Sequence, residues 1–318
     1  MTMNIKFRIE NLFQSRRGKL SGAYSDKIFG FFNSIFLIFM FIIALYPIIF
    51  VLSASISDPQ MVNTGKMLLW PVGITWSGYE KLFIYKDLWV GYANTVYYTI
   101  CGTVLNLLAT LPCAYALSRK DFRPRNFVMI FFMFTMFFSG GMIPGYLNVR
   151  DLGLVNTRAY ILIHGLISVS NLIVCRTFFA NTIPWEMQEA AMLDGASDFG
   201  LFTQIILPLS KPIIAVMSLY YGVGRWNSYF TEMIYLKDRS KFPLQLILKE
   251  ILADAQLSAD QLGEMTDVAE ILDMLKKQDT ANLLKYCVIV AATLPMMLIY
   301  PWLQKYFEKG VMIGSVKG

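Results

Sequence analysis

Histidine is almost missing from this 318-residue chain: the only one is His164. The four cysteines, Cys101, Cys113, Cys175 and Cys287, include no C-x-x-C pair, and all lie in or beside apolar stretches. They read as small buried hydrophobes. One histidine and no clustered acids leave no set of ligands for a metal, and a Ser–His–Asp arrangement has no support beyond the residue types. No G-x-x-x-x-G-K-[ST] run is present, so the chain has no such loop to cradle ATP phosphates. The glycines of "SGGMIPG", Ser139–Gly145, lack the lysine and the following helix of that motif and read instead as a kink near a span end. No basic run with interleaved aromatics indicates nucleic-acid binding. Internal repeats are also missing, which argues against a secondary transporter built from two related halves. Charge is scarce: 16% of residues are Asp, Glu, Lys or Arg, where soluble domains carry about 25%.

What is present is apolar. Hydrophobic residues make up 56% and aromatics 15%, and the mean hydropathy is +0.49. A spanning helix needs about 20 apolar residues, and the sequence predicts six. They fall at Ile28–Ser57 with Pro47 interrupting it, Tyr92–Leu117, Asn126–Leu147, Ala159–Phe179, Gln204–Leu236 and Leu283–Tyr306. The first run is too long for a signal-peptide core of roughly 7–15 residues, so it is a retained span. Residues 1–27 read as a cytoplasmic interfacial helix, with Phe7, Ile9, Leu12 and Phe13 toward lipid. Residues 28–307 are the expected six-helix membrane domain and 308–318 a cytoplasmic tail. The loop 237–282 reads as a folded external insert, because Leu244, Ile247, Leu248, Ile251 and Leu252 have helical spacing. Lys6, Arg8, Arg16, Arg17, Lys19 and Lys27 precede the first span, and Arg119, Lys120, Arg123 and Arg125 follow the second. The excess of basic residues in these flanks places both termini in the cytoplasm of a multi-pass plasma-membrane protein.

One loop departs from that charge rule. The stretch 180–203, cytoplasmic by parity, has no Lys or Arg. Pro184 suits a helix start, and Glu186 and Glu189 favour the positive end of its dipole. Gly195 suits a left-handed helix end. Ser197 and Asp198 suit the start of a second helix, whose apolar stripe is Phe199, Phe202, Ile205 and Ile206. The loop 184–208 is therefore a hairpin of two helices whose acids and small side chains suit a socket on another protein.

The sequence "EAAMLDGASDFGLFTQIILP", Glu189–Pro208, resembles the cytoplasmic coupling loop of permease subunits in bacterial ATP-binding-cassette importers. "WNSYF", Trp226–Phe230, and the tail "LQKYFEKGVMIGSVKG", Leu303–Gly318, are similar to carbohydrate permeases of the maltose-type, oligosaccharide-importing family, in the lipoprotein-dependent Gram-positive branch. The resemblance covers the chain from the first span to the end. It implies an all-α, six-span, type I importer permease, not itself an enzyme. It also implies docking on the ATPase subunit through Glu189, Ala190, Ala191, Asp194, Gly195, Ala196, Phe202 and Pro208. The chain would need no cofactor, since ATP and magnesium would be bound by two partner ATPase subunits. Further partners would be a second, homologous permease subunit and an external solute-binding lipoprotein that delivers an oligosaccharide. Gly195→Asp is expected to weaken docking by filling a tight turn and disfavouring positive φ.

Polar groups within spans are costly, and so are functional candidates. Asn94, Asn106, Asn171, Trp226, Asn227, Tyr229 and Glu232 form the expected substrate path, since sugar rings stack on aromatics and hydrogen-bond to amides. The alternative is that such groups only tie helices together. Arg225 and Glu232 also fit a span end in water, and His164 fits packing between helices. Other cargo, a peptide or an amino acid, stays open from the loop alone. A membrane glycan-processing enzyme would need a cluster of acids that the sequence does not offer.

Overall fold

The computed structural model describes residues 3–260, 283–298 and 301, with side chains from 26 to 253, over 283–298 and at 301. The tail 308–318, the far part of the insert and the side chains of the N-terminal segment lie outside the described residues. Every regular element among the described residues is helical, as apolar runs of spanning length favour.

Residues 1–75 and 76–318 are two compact units. In the first, one helix runs from Met3 to Ser55. It does not break near residue 27, where an interfacial helix was expected to give way to a span, and Pro47 lies inside it without ending it. From Ile28 to Ile43 its apolar side chains are exposed on all sides, as suits a helix in lipid. A short return follows. Asp58 caps the Pro59–Asn63 helix by accepting from the Gln60 N–H at 2.8 Å. Segment 69–75 folds back through Ser53 Oγ donating to the Leu69 carbonyl and Thr75 N–H to that of Ile56.

The second unit is built on the Lys86–Ser118 helix, long and apolar enough to cross a membrane, as is Asp26–Ser55 of the first unit. At 1.5 Å per residue its 33 residues extend about 50 Å. The third expected span is not straight: Arg125–Phe137 and Met142–Asp151 meet at 111°, with Gly141 at φ 87° between them. The "SGGMIPG" glycines thus form the kink. The fourth is broken into Arg158–Ile163 and Val169–Thr182. The fifth starts earlier than expected, as Asp198–Leu209, and turns by 81° into Lys211–Trp226. Phe230–Tyr235 is a separate short helix, and Leu283–Leu298 is the described part of the sixth.

Two apolar clusters sit toward opposite ends of the Lys86–Ser118 helix. At its C-terminal end Leu117, Leu172, Phe179, Leu201 and Ile206 pack together. At its N-terminal end Leu88, Trp226, Leu244, Leu248 and Cys287 do so. Leu244 and Ile247 of the expected insert are buried, and the Leu244 N–H donates to Thr95 Oγ1 at 2.7 Å. The described part of the insert therefore lies on this helix. Cys175 and Cys287 are buried and Cys101 and Cys113 half-buried, all unbridged.

Candidate functional site

The hairpin is formed as its local sequence dictates. A helix runs over Trp185–Leu193 with Glu186 in its first turn. Glu189 Oε1 accepts from Trp185 Nε1, one turn away, at 2.5 Å. At the other end the Ala196 N–H donates to the Ala191 carbonyl and that of Gly195 to Met192, each at 3.0 Å. This paired pattern satisfies two orphan carbonyls and needs a left-handed residue, which Gly195 supplies at φ 81°. A Cβ added at Gly195 meets nothing within 4 Å. The expectation that a side chain would fill the turn is therefore corrected: the constraint on Gly195 is its backbone conformation alone.

Ser197 starts the second arm, its Oγ accepting from the Gly200 N–H at 3.1 Å. Over Leu201–Ile206 the ladder widens to a π-helix, and the Leu207 N–H reaches back to the Phe202 carbonyl. Pro208, lacking an N–H, cannot donate to the carbonyl four residues back, and a widened turn takes up the misfit. Ser210 and then Pro212, in the first turn of the next helix, complete the 81° bend. The apolar stripe also differs from expectation. Leu201 and Ile206 are buried and Phe202 and Ile205 half-buried, but Phe199 is 77% exposed. Leu193, at the tip of the first arm, is 89% exposed. Glu189, Ala190, Asp194, Gly195 and Pro208 are exposed, Ala196 is half-buried, and Ala191 is buried against the bundle. The hairpin thus presents two large apolar side chains, Leu193 and Phe199, among small and acidic ones. Leu193 was not singled out in the sequence, although its place next to the helix-ending Asp194–Gly195 was a signal.

The base of the hairpin is held from the 119–125 loop. Arg119 donates to Asp198 at 2.6 Å and to both oxygens of Asp121. These hydrogen bonds hold the Asp121 carboxyl below the usual carboxylate range. Lys120 Nζ lies 6.0 Å from the centre of the Trp185 ring, Tyr115 OH donates to Gln188 Oε1 at 3.3 Å, and Arg176 Nε donates to the Leu117 carbonyl at 3.0 Å. An open cleft of about 460 Å³ remains beside the hairpin, walled by Tyr115, Arg119, Phe122, Phe199 and Phe202. Arg119 and Lys120, read from sequence as orientation signals, therefore also lie against the hairpin.

The expected substrate-path residues do not form one site. Asn94 Nδ2 donates to the Ser240 and Phe242 carbonyls, and its Oδ1 accepts from Arg158. Asn106 is fully buried; it donates to the Gly165 and Leu166 carbonyls and accepts from Arg225 Nε. Trp226 Nε1 donates to the Ala292 carbonyl at 3.1 Å. Glu232 is 3% exposed and accepts from Ser228 Oγ at 2.9 Å. These four have protein partners within the fold, and Glu232 does not lie at a span end in water. Arg225 is half-buried and turned onto neighbouring carbonyls. Asn171 is half-buried, apart from the others on the Val169–Thr182 helix. Asn227 and Tyr229 are exposed, and Lys249 Nζ stands 4.4 Å from the centre of the Tyr229 ring. His164 packs as expected, its Nδ1 3.0 Å from Tyr160 OH.

Comparison with known proteins places this geometry. Residues 88–313 match the family described as "Binding-protein-dependent transport system inner membrane component". The chain is 38% identical over 287 residues to the polygalacturonan/rhamnogalacturonan transport system permease protein YtcP of Bacillus subtilis, covering 89% of this chain and 96% of that one. It is 34% identical over 294 residues to Protein LplC of the same organism, covering 92% and 96%. Among solved structures, a chain from the crystal structure of a bacterial ABC transporter involved in the import of the acidic polysaccharide alginate superposes with a TM-score of 0.77 at 37% identity. That match covers 89% of this chain and 98% of the other.

Proposed function

The chain belongs to the family of binding-protein-dependent transport system inner membrane components, and from that premise we propose that it is the permease subunit of an ATP-driven importer of oligosaccharides that contain uronic acids. The observation that carries the cargo class is the pair of acidic glycans named for similar proteins: polygalacturonan/rhamnogalacturonan for a relative at 38% identity and alginate for a structure at 37%. The geometry is compatible. Tyr229 offers an exposed ring for a sugar face, Asn227 an amide and Lys249 a cation for a carboxylate, all near one end of the bundle. Asn94, Asn106, Trp226 and Glu232 are reassigned to support.

Six spans with both termini inside, an external 237–282 insert and a cytoplasmic hairpin at 184–208 complete the reading. The hairpin tip, from Glu189 to Ala196 with Leu193 and Phe199, would dock on an ATPase subunit, with Phe202 and Pro208 shaping the arm behind it. Two such subunits would bind ATP and magnesium. A second permease would close the path, and an external lipoprotein would deliver the sugar, so that alternating access carries it inward. Support for the hairpin's role is its exposed apolar tip on a rigidly braced base.

The test is uptake by the complete importer, with its binding lipoprotein, in proteoliposomes. Trigalacturonate, arabinotriose and raffinose are offered in turn. Import of trigalacturonate driven by ATP, with little of the neutral pair, is expected. Import of a neutral trisaccharide alone would move the cargo to the class named for arabinooligosaccharide and raffinose permeases, which are 24–28% identical to this chain.

A further inference from the structure

Two side chains take up five carbonyls where the fourth expected span breaks, two in the last turn of the Arg158–Ile163 helix and three in the break itself. Arg225 donates to the carbonyls of Ile161 at 2.5 Å, Leu162 at 3.1 Å and His164 at 2.9 Å. Asn106 donates to those of Gly165 at 2.9 Å and Leu166 at 2.8 Å. The two are joined by Arg225 Nε donating to Asn106 Oδ1 at 3.2 Å. The Ser168 N–H, just before the next helix, donates to Tyr221 OH, which in turn pairs with Thr110 Oγ1 at 2.7 Å. A non-helical stretch in an apolar setting must find partners for its backbone, and here side chains supply them. Arg225 also lies at the negative end of the Arg158–Ile163 helix, where a cation is favoured.

The donors stand in register. Gly102, Asn106 and Thr110 are four residues apart on the Lys86–Ser118 helix, and Tyr221 and Arg225 are four apart on Lys211–Trp226, so each set shares a face. Gly102 is part of the arrangement: a Cβ there would sit 2.9 Å from Arg225 Nε and 3.2 Å from its Cδ. A larger residue there would push the guanidinium out of this position.

The place of this latch in the chain gives it a use. The Val169–Thr182 helix leads into the hairpin, and the hairpin's second arm leads into Lys211–Trp226. The two segments are therefore joined twice, by the hairpin at one end and by the Ser168–Tyr221 hydrogen bond at the other, while Arg225 ties the Arg158–Ile163 helix to Lys211–Trp226 across the break. The Lys86–Ser118 helix is fixed to both, through Asn106 and Thr110 at the latch and through Tyr115 and the Leu117 carbonyl near the hairpin. We propose that Arg225 and Asn106 are positioning residues that lock the break at 164–168, so that the fourth span, the fifth span and the helix between residues 86 and 118 move as one frame when the hairpin is displaced. Without the latch the break bends, and motion of the hairpin is not passed to the far end. This rests on the importer reading above.

The test uses the assembled importer with spin labels on Ile163→Cys and Val174→Cys, exposed positions on either side of the break. Their separation is measured without nucleotide and after trapping with ATP and vanadate. With the latch intact, one narrow distance is expected in both states. Arg225→Met should broaden it by several ångströms. Gly102→Ala, which keeps the charge but displaces it, should do the same in complexes that assemble in normal amount. Sugar imported per ATP hydrolysed, with trigalacturonate as probe, should fall in both. A variant that merely folded poorly would lower import and hydrolysis together and leave that ratio unchanged. The proposal is overturned if the wild-type distance shifts on trapping, or if both variants keep the wild-type distance and ratio. Failure of the wild type to bind an ATPase would count against the importer reading instead, since the distances without nucleotide still report on the latch.

Discussion

At the scale of single residues, hydrogen-bond accounting separates support from function. Asn94 and Asn106 looked alike in the sequence as amides inside spans. Each proves to have donors and acceptor satisfied by partners distant in the chain, as buried polar groups must be. Nothing in the sequence near Asn106 shows that Gly165 lies 59 residues away across a helix interface. Gly195 is the opposite case, since its role was legible from its place after a helix-length segment. The structure refines the reason. With nothing within 4 Å of an added Cβ, substitutions should be ranked by tolerance of a left-handed backbone, about 1–2 kcal/mol for most residues and less for Asn or Asp. Recovery of the ATPase with Gly195→Asn, Gly195→Ala and Gly195→Val is expected to fall in that order. An Ala variant that retains more ATPase than Asn would show that side-chain size, and not φ, governs the turn.

At the scale of elements, the hairpin combines a rigid base with an apolar tip. Its helix end and its Ser197 cap depend on residues within six positions, so short-range spacing was sufficient to find them. Its exposure was not legible, because the stripe Phe199–Phe202–Ile205–Ile206 assumed a regular helix. The π-helix at Leu201–Ile206 changes which side chains face the bundle. Phe199 is turned out, 77% exposed. Exposed side chains contribute little to the fold, within about 0.5 kcal/mol when replaced, whereas exposed apolar anchors carry binding. The double variant Leu193→Ser and Phe199→Ser should therefore keep the thermal stability of the purified chain and lose the ATPase in co-purification. Retention of the partner at wild-type levels would remove the tip from the docking surface.

At the scale of the whole molecule, the hairpin and the Tyr229–Lys249 cluster lie toward opposite ends of a helix about 50 Å long. In the proposed topology the hairpin end is inside, on the side of the basic 119–125 loop. An impermeant thiol reagent applied to intact cells should then label Lys237→Cys and leave Asp194→Cys unmodified until the membrane is opened, over a background of native cysteines that are buried or half-buried. Labelling of Asp194→Cys from outside would invert the topology. The sequence by itself determined the membrane character, the helical class, the hairpin and the family resemblance, because these depend on composition, periodicity and hydrogen bonds between near neighbours. Only the tertiary structure decided where the apolar helices bend, that Phe199 faces outward, and that Arg225 and Asn106 take up the carbonyls around the break at 164–168. Those outcomes depend on partners brought together by packing, such as Arg225 and Asn106, which stand 119 residues apart in the chain.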